Sequence, residues 1–259
     1  MTNMNWKIVA GVGCASLAAA GTGYLLYLLG QKSAHSDKRL PSTDKTYENN
    51  DPINLYVIDH TTINPVLKKL HKLSTSHSKG IMTTAIEQDT FLTILTKSLN
   101  AKKAIDIGMF FGCRAMALAL GLSDGGKVVG LEINSEYIEN GKPFFAEAGI
   151  SDKIDIRIKD AEEGLSEMIK DGESGTYDIA FLDAFNKSYP SYLEPVYTLL
   201  CPEGLFVIDN ALQGGKVVDP QVDKSVNGVF RINDMLKNDC RFEVVLLKVA
   251  DGIMIARKI

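Results

Sequence analysis

Five short apolar runs alternate with helical segments through the second half of this chain, and that alternation limits the fold more than any other feature. "KAIDIG" (103–108), "KVVGLEI" (127–133), "KIDIRI" (153–158), "YDIAFLD" (177–183) and "GLFVIDN" (204–210) have the length and the β-branched and aromatic content of buried strands. Between them lie "CRAMALALGL", "SEYIENGKPFFAEAG", "AEEGLSEMIKDG" and "YLEPVYTLLC", which read as helices. Such a rhythm predicts an α/β fold, a parallel sheet wound with helices on both faces. The tail breaks it: "RFEVVLLKVADGIMIARKI" is two strand-like runs joined by Ala250-Asp251-Gly252, so the sheet is expected to end in an antiparallel hairpin. Upstream, "INLYVIDHTTINPVLKKLHKLS" reads as helical with Pro65 as punctuation, and "AIEQDTFLTILTKSLN" as an amphipathic helix.

The 259 residues need not form one globule. From Ile8 to Leu29 the chain runs "IVAGVGCASLAAAGTGYLLYLL" without a charge, and roughly 20 apolar residues span a bilayer as a helix. Trp6, Tyr24 and Tyr27 suit the interfaces. A cleaved signal peptide is the rival reading, but the run ends in "YLLYLL" rather than in a small-residue cleavage site. The expected organisation is a transmembrane anchor over 1–30, a polar linker over 31–50 and a globular head over 51–259. The excess of Lys and Arg after the span (Lys32, Lys38, Arg39) predicts a single-pass membrane protein with a cytosolic head.

A formal net charge of −4 gives no support for a nucleic-acid partner. The four cysteines lack CxxC spacing and read as free thiols in a reducing compartment. All four histidines, the last at His77, precede the alternating core, which excludes a Ser-His-Asp triad or a His-ligated zinc within it. Nothing in the sequence specifies an oligomer, and a homodimer is compatible with it.

In wound parallel sheets, ligands bind at the carboxyl ends of the strands. The first strand ends "DIGMFFG", placing Asp106, Gly108 and Gly112 where the backbone turns into a helix. The spacing is not GxGxxG, which counts against a dinucleotide, and so against an NAD-dependent oxidoreductase. Glu132, at the end of the second strand, is placed to accept both hydroxyls of a ribose, and Asp160 and Ala161 lie at the exit of the third. The set suggests a nucleoside cofactor without a pyrophosphate, which S-adenosylmethionine fits. Asp183 closes the fourth strand and Asp209-Asn210 the fifth, a hard-oxygen set suited to Mg²⁺, with Mn²⁺ and Ca²⁺ as alternatives. A single Asp at such a position often only caps the next helix. Three such groups on neighbouring strand ends favour a metal.

These motifs, "GIMTTAIEQDTFL", "AIDIGMFFG", "GLEIN", "KIDIRIKDA", "AFLDAFNKSY", "VIDNAL" and "ADGIMIARKI", resemble the cation-dependent, S-adenosylmethionine-dependent O-methyltransferases of catechol and caffeoyl-coenzyme A type, over about 55–259. The anchored architecture resembles that of membrane-bound catechol-O-methyltransferase-domain proteins. The resemblance implies a Rossmann-like class I methyltransferase with a mostly parallel seven-stranded sheet. It implies that Met82, Thr84, Asp106, Gly108, Gly112, Glu132, Ala161 and Asp183 line the cofactor site, and that Asp183, Asp209 and Asn210 bind the metal. Phe185, Asn186 and Tyr192 would border a small aromatic diol.

Three positions depart from the family pattern. Asn186 stands where the general-base lysine is usual, with Lys187 one place on as the candidate base beside the catalytic Asp183. Phe185 favours the catechol style, Arg114 replaces a small hydroxyl residue, and Gln213 replaces a substrate-wall tryptophan. Two function classes therefore stand: a membrane-anchored methyltransferase, favoured by the three metal-ligand positions, and a silent cofactor-binding scaffold, favoured by Asn186.

Overall fold

The computed structural model describes residues 51–219, 221, 223, 224 and 227–259. The anchor expected over 1–30 and the linker over 31–50 lie outside the described residues. Among the described residues no helix is long and apolar enough to cross a membrane.

Two proline-led helices open the described chain. Asp51 caps α1 (Pro52–Asp59), and Asn64 caps α2 (Pro65–Ser76), accepting from the Val66 and Leu67 amides at 2.9 and 3.2 Å. Pro65 thus separates two helices, as its place in the sequence suggests. Helix α3 (Ile86–Ser98) follows, and then the alternation begins: β1 (Lys103–Ile107), α4 (Cys113–Gly121), β2 (Lys127–Glu132), α5 (Ser135–Glu147), β3 (Ile154–Ile158), α6 (Ala161–Lys170), β4 (Tyr177–Leu182), α7 (Tyr189–Leu199) and β5 (Leu200–Ile208). Helix α8 (Gly228–Asn238) precedes β6 (Phe242–Leu247) and β7 (Ile253–Lys258).

The seven strands form one sheet in the order β3-β2-β1-β4-β5-β7-β6. The first five are mutually parallel, β7 runs antiparallel to β5, and β6 and β7 form the expected hairpin. Ala250 and Gly252, both at positive φ, turn its corner.

Period-2 alternation divides the core between the two faces of the sheet. Phe181 and Val207 point into one layer, with Leu67 and Leu70 of α2, Leu92 of α3, Met116 of α4 and Phe145 of α5. Ala180, Leu182, Phe206 and Ile208 point into the other, with Leu165 of α6, Val196 of α7 and Ile232 of α8. Strands buried on both faces read as continuous apolar runs, which is why these segments carry so few polar residues. Lys68, Lys69 and Lys72 lie on the exposed side of α2, while Leu67, Leu70 and Ser74 are buried.

Helix α5 lies close to the β1–α4 loop at Gly141, where a Cβ would come within 2.1 Å of the Phe111 carbonyl oxygen. Backbone cannot yield there as a flexible side chain would. Gly141→Ala is expected to cost about 1–3 kcal/mol through overpacking, read as a lowered urea midpoint with an unchanged slope.

Candidate active site

Parallel pairing runs one residue beyond each strand and lays the polar residues in a row. The Gly108 amide donates to the Leu131 carbonyl at 2.9 Å, Asp183 to Ile107 at 2.9 Å, Asp209 to Leu182 at 3.0 Å and Lys159 to Glu132 at 2.9 Å. Gly108 needs its left-handed φ of +91°, and a Cβ there would meet the Asp183 carbonyl oxygen at 2.1 Å. The β1 and β4 exits therefore touch through bare backbone.

Above this row is a cavity of about 560 Å³. Of the expected cofactor residues, Met82, Gly108, Glu132, Ala161 and Asp183 line it. Thr84, Asp106 and Gly112 do not. Thr84 and Asp106 are buried behind the wall, where both touch Arg114, and Gly112 is the left-handed residue capping α4, packed against the Phe145 ring. The expected substrate residues Phe185, Asn186 and Tyr192 all line the cavity, as does Gln213, whereas Tyr189 is fully buried as packing. Lys187 is not among the lining residues: it is exposed, with its ammonium 6.0 Å from the centre of the Phe185 ring.

Glu132 is held by two backbone donors, the Phe110 amide at 2.8 Å and the Asn134 amide at 2.9 Å, one to each carboxylate oxygen. It ties the β1–α4 and β2–α5 turns together while presenting its charge to the cavity. Asp160 caps α6 through the Glu162 and Glu163 amides, and both it and Ala161 line the cavity. A glutamate fixed at the end of β2, an open cavity of nucleoside size and a glycine turn at β1 fit an adenosine-bearing cofactor.

The expected metal residues are less free. Asp183 and Asn210 line the cavity, but Asp209 is only 2% exposed beneath it and accepts from the Asn210 amide at 2.6 Å. Asp183 has both oxygens engaged: Oδ1 accepts from the Asn210 side-chain amide at 3.0 Å, and Oδ2 from Arg114 Nη1 at 2.6 Å. Among the described residues no three His, Cys, Asp or Glu side chains are grouped to hold a metal ion, and the expected set contributes two such side chains plus an amide. As arranged, with a guanidinium on its first carboxylate, this set does not fit a resident divalent cation.

The sequence places Arg114 near the expected cofactor carboxylate as a candidate salt-link partner, and does not foresee its contacts within the chain. Arg114 is the second residue of α4, 3% exposed, and touches four acceptors: Asp183 Oδ2, Thr84 Oγ1, the Gly108 carbonyl and, at 3.5 Å, Asp106 Oδ1. Its charge lies among Asp89, Asp106, Asp183 and Asp209, which raise its own pKa against the cost of burial. Burial pushes Asp106 up to about 7, with Arg114 opposing, and pushes Asp89 well above the carboxylate range. Cys113, beside it, is a buried thiol whose pKa burial also raises, which marks it as packing rather than as a nucleophile. Lys159, Lys216 and Asp251 complete the polar lining, and no strand-end motif in the sequence points to the last two.

The profile of the O-methyltransferase family matches residues 59–259. The chain belongs to that family. It is similar to a probable caffeoyl-CoA O-methyltransferase 2 of Dictyostelium discoideum, 37% identical over 219 residues that cover 83% of this chain and 94% of the relative. A catechol O-methyltransferase domain-containing protein 1 of Mus musculus is 34% identical over 256 residues, 96% of this chain and 94% of the relative. Among solved structures, the fold superposes with a TM-score of 0.72 on an O-methyltransferase from Bacillus cereus in complex with SAH. That match is at 24% identity and covers 80% of this chain and 97% of that one. Membership makes the chain an S-adenosylmethionine-dependent O-methyltransferase.

Glu132→Ala removes a ligand group and the tie between two turns. Losing charge-assisted hydrogen bonds of about 1.5–3 kcal/mol predicts a fall in S-adenosylhomocysteine affinity of roughly 10- to 100-fold, measured by titration calorimetry. Asp106 gives a pH signature. Its folded pKa is raised, so its contribution to stability is complete below the unfolded value of 3.8 and is lost as pH rises through about 7. Asp106→Asn has no proton to lose, and the decline in Tm between pH 5 and pH 8 should flatten relative to the wild type.

Proposed function

We propose that this enzyme transfers the methyl group of S-adenosylmethionine to one hydroxyl of a small catechol-like substrate bound against Phe185. The carrying observation is the shared lining of one cavity. Glu132 and Ala161 from the cofactor strands line it together with Asp183, Phe185, Asn186, Tyr192 and Gln213. Phe185 is 67% exposed at the rim and offers a ring face to a planar aromatic. The names of the curated relatives, caffeoyl-CoA and catechol O-methyltransferases, support an aromatic hydroxyl as acceptor.

The cofactor, when bound, supplies an electrophilic methyl on its sulfonium. The acceptor oxygen attacks that carbon in line, the carbon–sulfur bond breaks, and the products are the methyl ether, S-adenosylhomocysteine and the hydroxyl proton. What this chain's residues supply is proximity. Glu132 orients the nucleoside and Gly108 lets the backbone approach. Asn186 can hydrogen-bond a substrate hydroxyl but cannot take its proton. Lys187, expected as base, lies outside the cavity lining and has no role in this reading. Dependence on a divalent cation at Asp183, Asp209 and Asn210 is not part of this reading, because Arg114 already occupies Asp183. Retention at a membrane through residues 8–29 is proposed with it, on the strength of the uncharged apolar run.

The test is methyl transfer from radiolabelled S-adenosylmethionine to a panel of catechol, caffeic acid, caffeoyl-CoA and their mono-hydroxyl analogues. Turnover on a vicinal diol, with KM raised about tenfold in Phe185→Ala as its ring contact is lost, supports the proposal. Cofactor binding without transfer to any diol would sink it.

A further inference from the structure

We infer that Arg114 is the built-in cation of this pocket: its guanidinium takes the charge-neutralising place at Asp183 that a divalent ion would otherwise fill, so no divalent ion binds there. The inference deepens the reading above and rests on it only for the position of the site.

A cation two residues into a helix faces the positive end of the helix dipole and is ordinarily disfavoured there. Arg114 is nonetheless almost fully buried at the start of α4. It is held because its hydrogen bonds reach three different segments: Thr84 ahead of α3, Asp106 and the Gly108 carbonyl at the end of β1, and Asp183 at the end of β4. Its Cζ lies 5.4 Å from the centre of the Phe181 ring, which adds a cation–π contact on the remaining side. A buried cation is stable only when paired and hydrogen-bonded, and this one is both.

Asp183 is equally committed. One oxygen takes Arg114 and the other takes the Asn210 amide, whose NH₂ therefore points toward the carboxylate and not away from it. A divalent ion at Asp183 would have to strip the guanidinium of its short ion pair and then sit within a few ångströms of it. Both steps are unfavourable where water screens little. Asp209, the second carboxylate, is buried and already accepts from the following backbone amide. Asp183 is thus neutralised from within the chain, by a group that cannot be removed with a chelator.

The probe is Mn²⁺, followed by the loss of its free-ion paramagnetic resonance signal, with the full chain in detergent and S-adenosylhomocysteine affinity measured in parallel with and without EDTA. The wild type should show no Mn²⁺ site that Asp183→Asn abolishes, and its S-adenosylhomocysteine affinity should be unchanged by EDTA. Arg114→Ser should gain a Mn²⁺ site at least about tenfold tighter, lost again in Arg114→Ser/Asp183→Asn. Two results overturn the inference: a wild-type Mn²⁺ site that vanishes in Asp183→Asn, or an Arg114→Ser protein that binds S-adenosylhomocysteine yet gains no Mn²⁺. If Arg114→Ser does not fold, the comparison of wild type with Asp183→Asn alone decides: equal Mn²⁺ retention supports the inference, and a drop in Asp183→Asn overturns it. Wild-type protein that fails to bind S-adenosylhomocysteine at all would instead overturn the functional reading, leaving the Mn²⁺ comparison to judge Arg114.

Discussion

The pairing of β1 with β4 is the constraint on which the rest of the molecule depends. It is where the strand order reverses, so the connections leaving the two strands diverge to opposite faces and open a crevice between them. The hydrogen bond from Asp183 to Ile107 extends that pairing past the strands, and the bare contact of Gly108 against the Asp183 backbone keeps the exits close. Two layers of apolar side chains clamp the sheet from either side, so the row of polar residues at its edge cannot drift without disturbing both cores. The cavity is thus a consequence of topology, and the residues decide only what it binds.

The electrostatics of the site follow from burial under that row. Asp89, Asp106 and Asp209 are all removed from water, and carboxylates so placed must take up a proton or find a cation. Asp89, with neither oxygen hydrogen-bonded, is driven toward the neutral form. Asp106 sits at the balance point, where burial and Arg114 oppose each other. Asp183, nearest the cavity, holds the guanidinium closely. Burial therefore sets the direction at Asp89 and Asp106, and one arginine opposes it at both.

Much of this was legible from residue patterns. The five parallel strands, the Asp251-Gly252 hairpin and the two acid-bearing strand ends were readable because period-2 apolar runs and their polar terminators are local signals. Helix α8 was not read, although Asn227 caps it through the Val229 and Phe230 amides and Val229, Phe230, Ile232 and Leu236 give it a buried apolar stripe; both signals were local and in the sequence. Asp106 and Thr84 fell behind the cavity wall for a reason no one-dimensional pattern carries. Both point toward a guanidinium that reaches them from a different helix. Arg114 was visible as an oddity, but its reach across three segments is a fact of packing.

Position 187 shows the same limit on a smaller scale. A lysine one residue late is ambiguous in sequence, since a loose turn could swing it inward. Here the turn over Asn186–Ser188 is not loose: the first residue of α8, Gly228, lies so close that a Cβ on it would sit 1.9 Å from the Asn186 carbonyl oxygen and 3.0 Å from the Lys187 Cα. With the backbone pinned from outside, Asn186 faces the cavity and Lys187 faces water over the Phe185 ring. Bringing the lysine inward would require α8 to retreat, and α8 is held by Val229, Ile232 and Leu236 in the core. The helix that sequence reading missed is what fixes which of two neighbouring side chains faces the cavity.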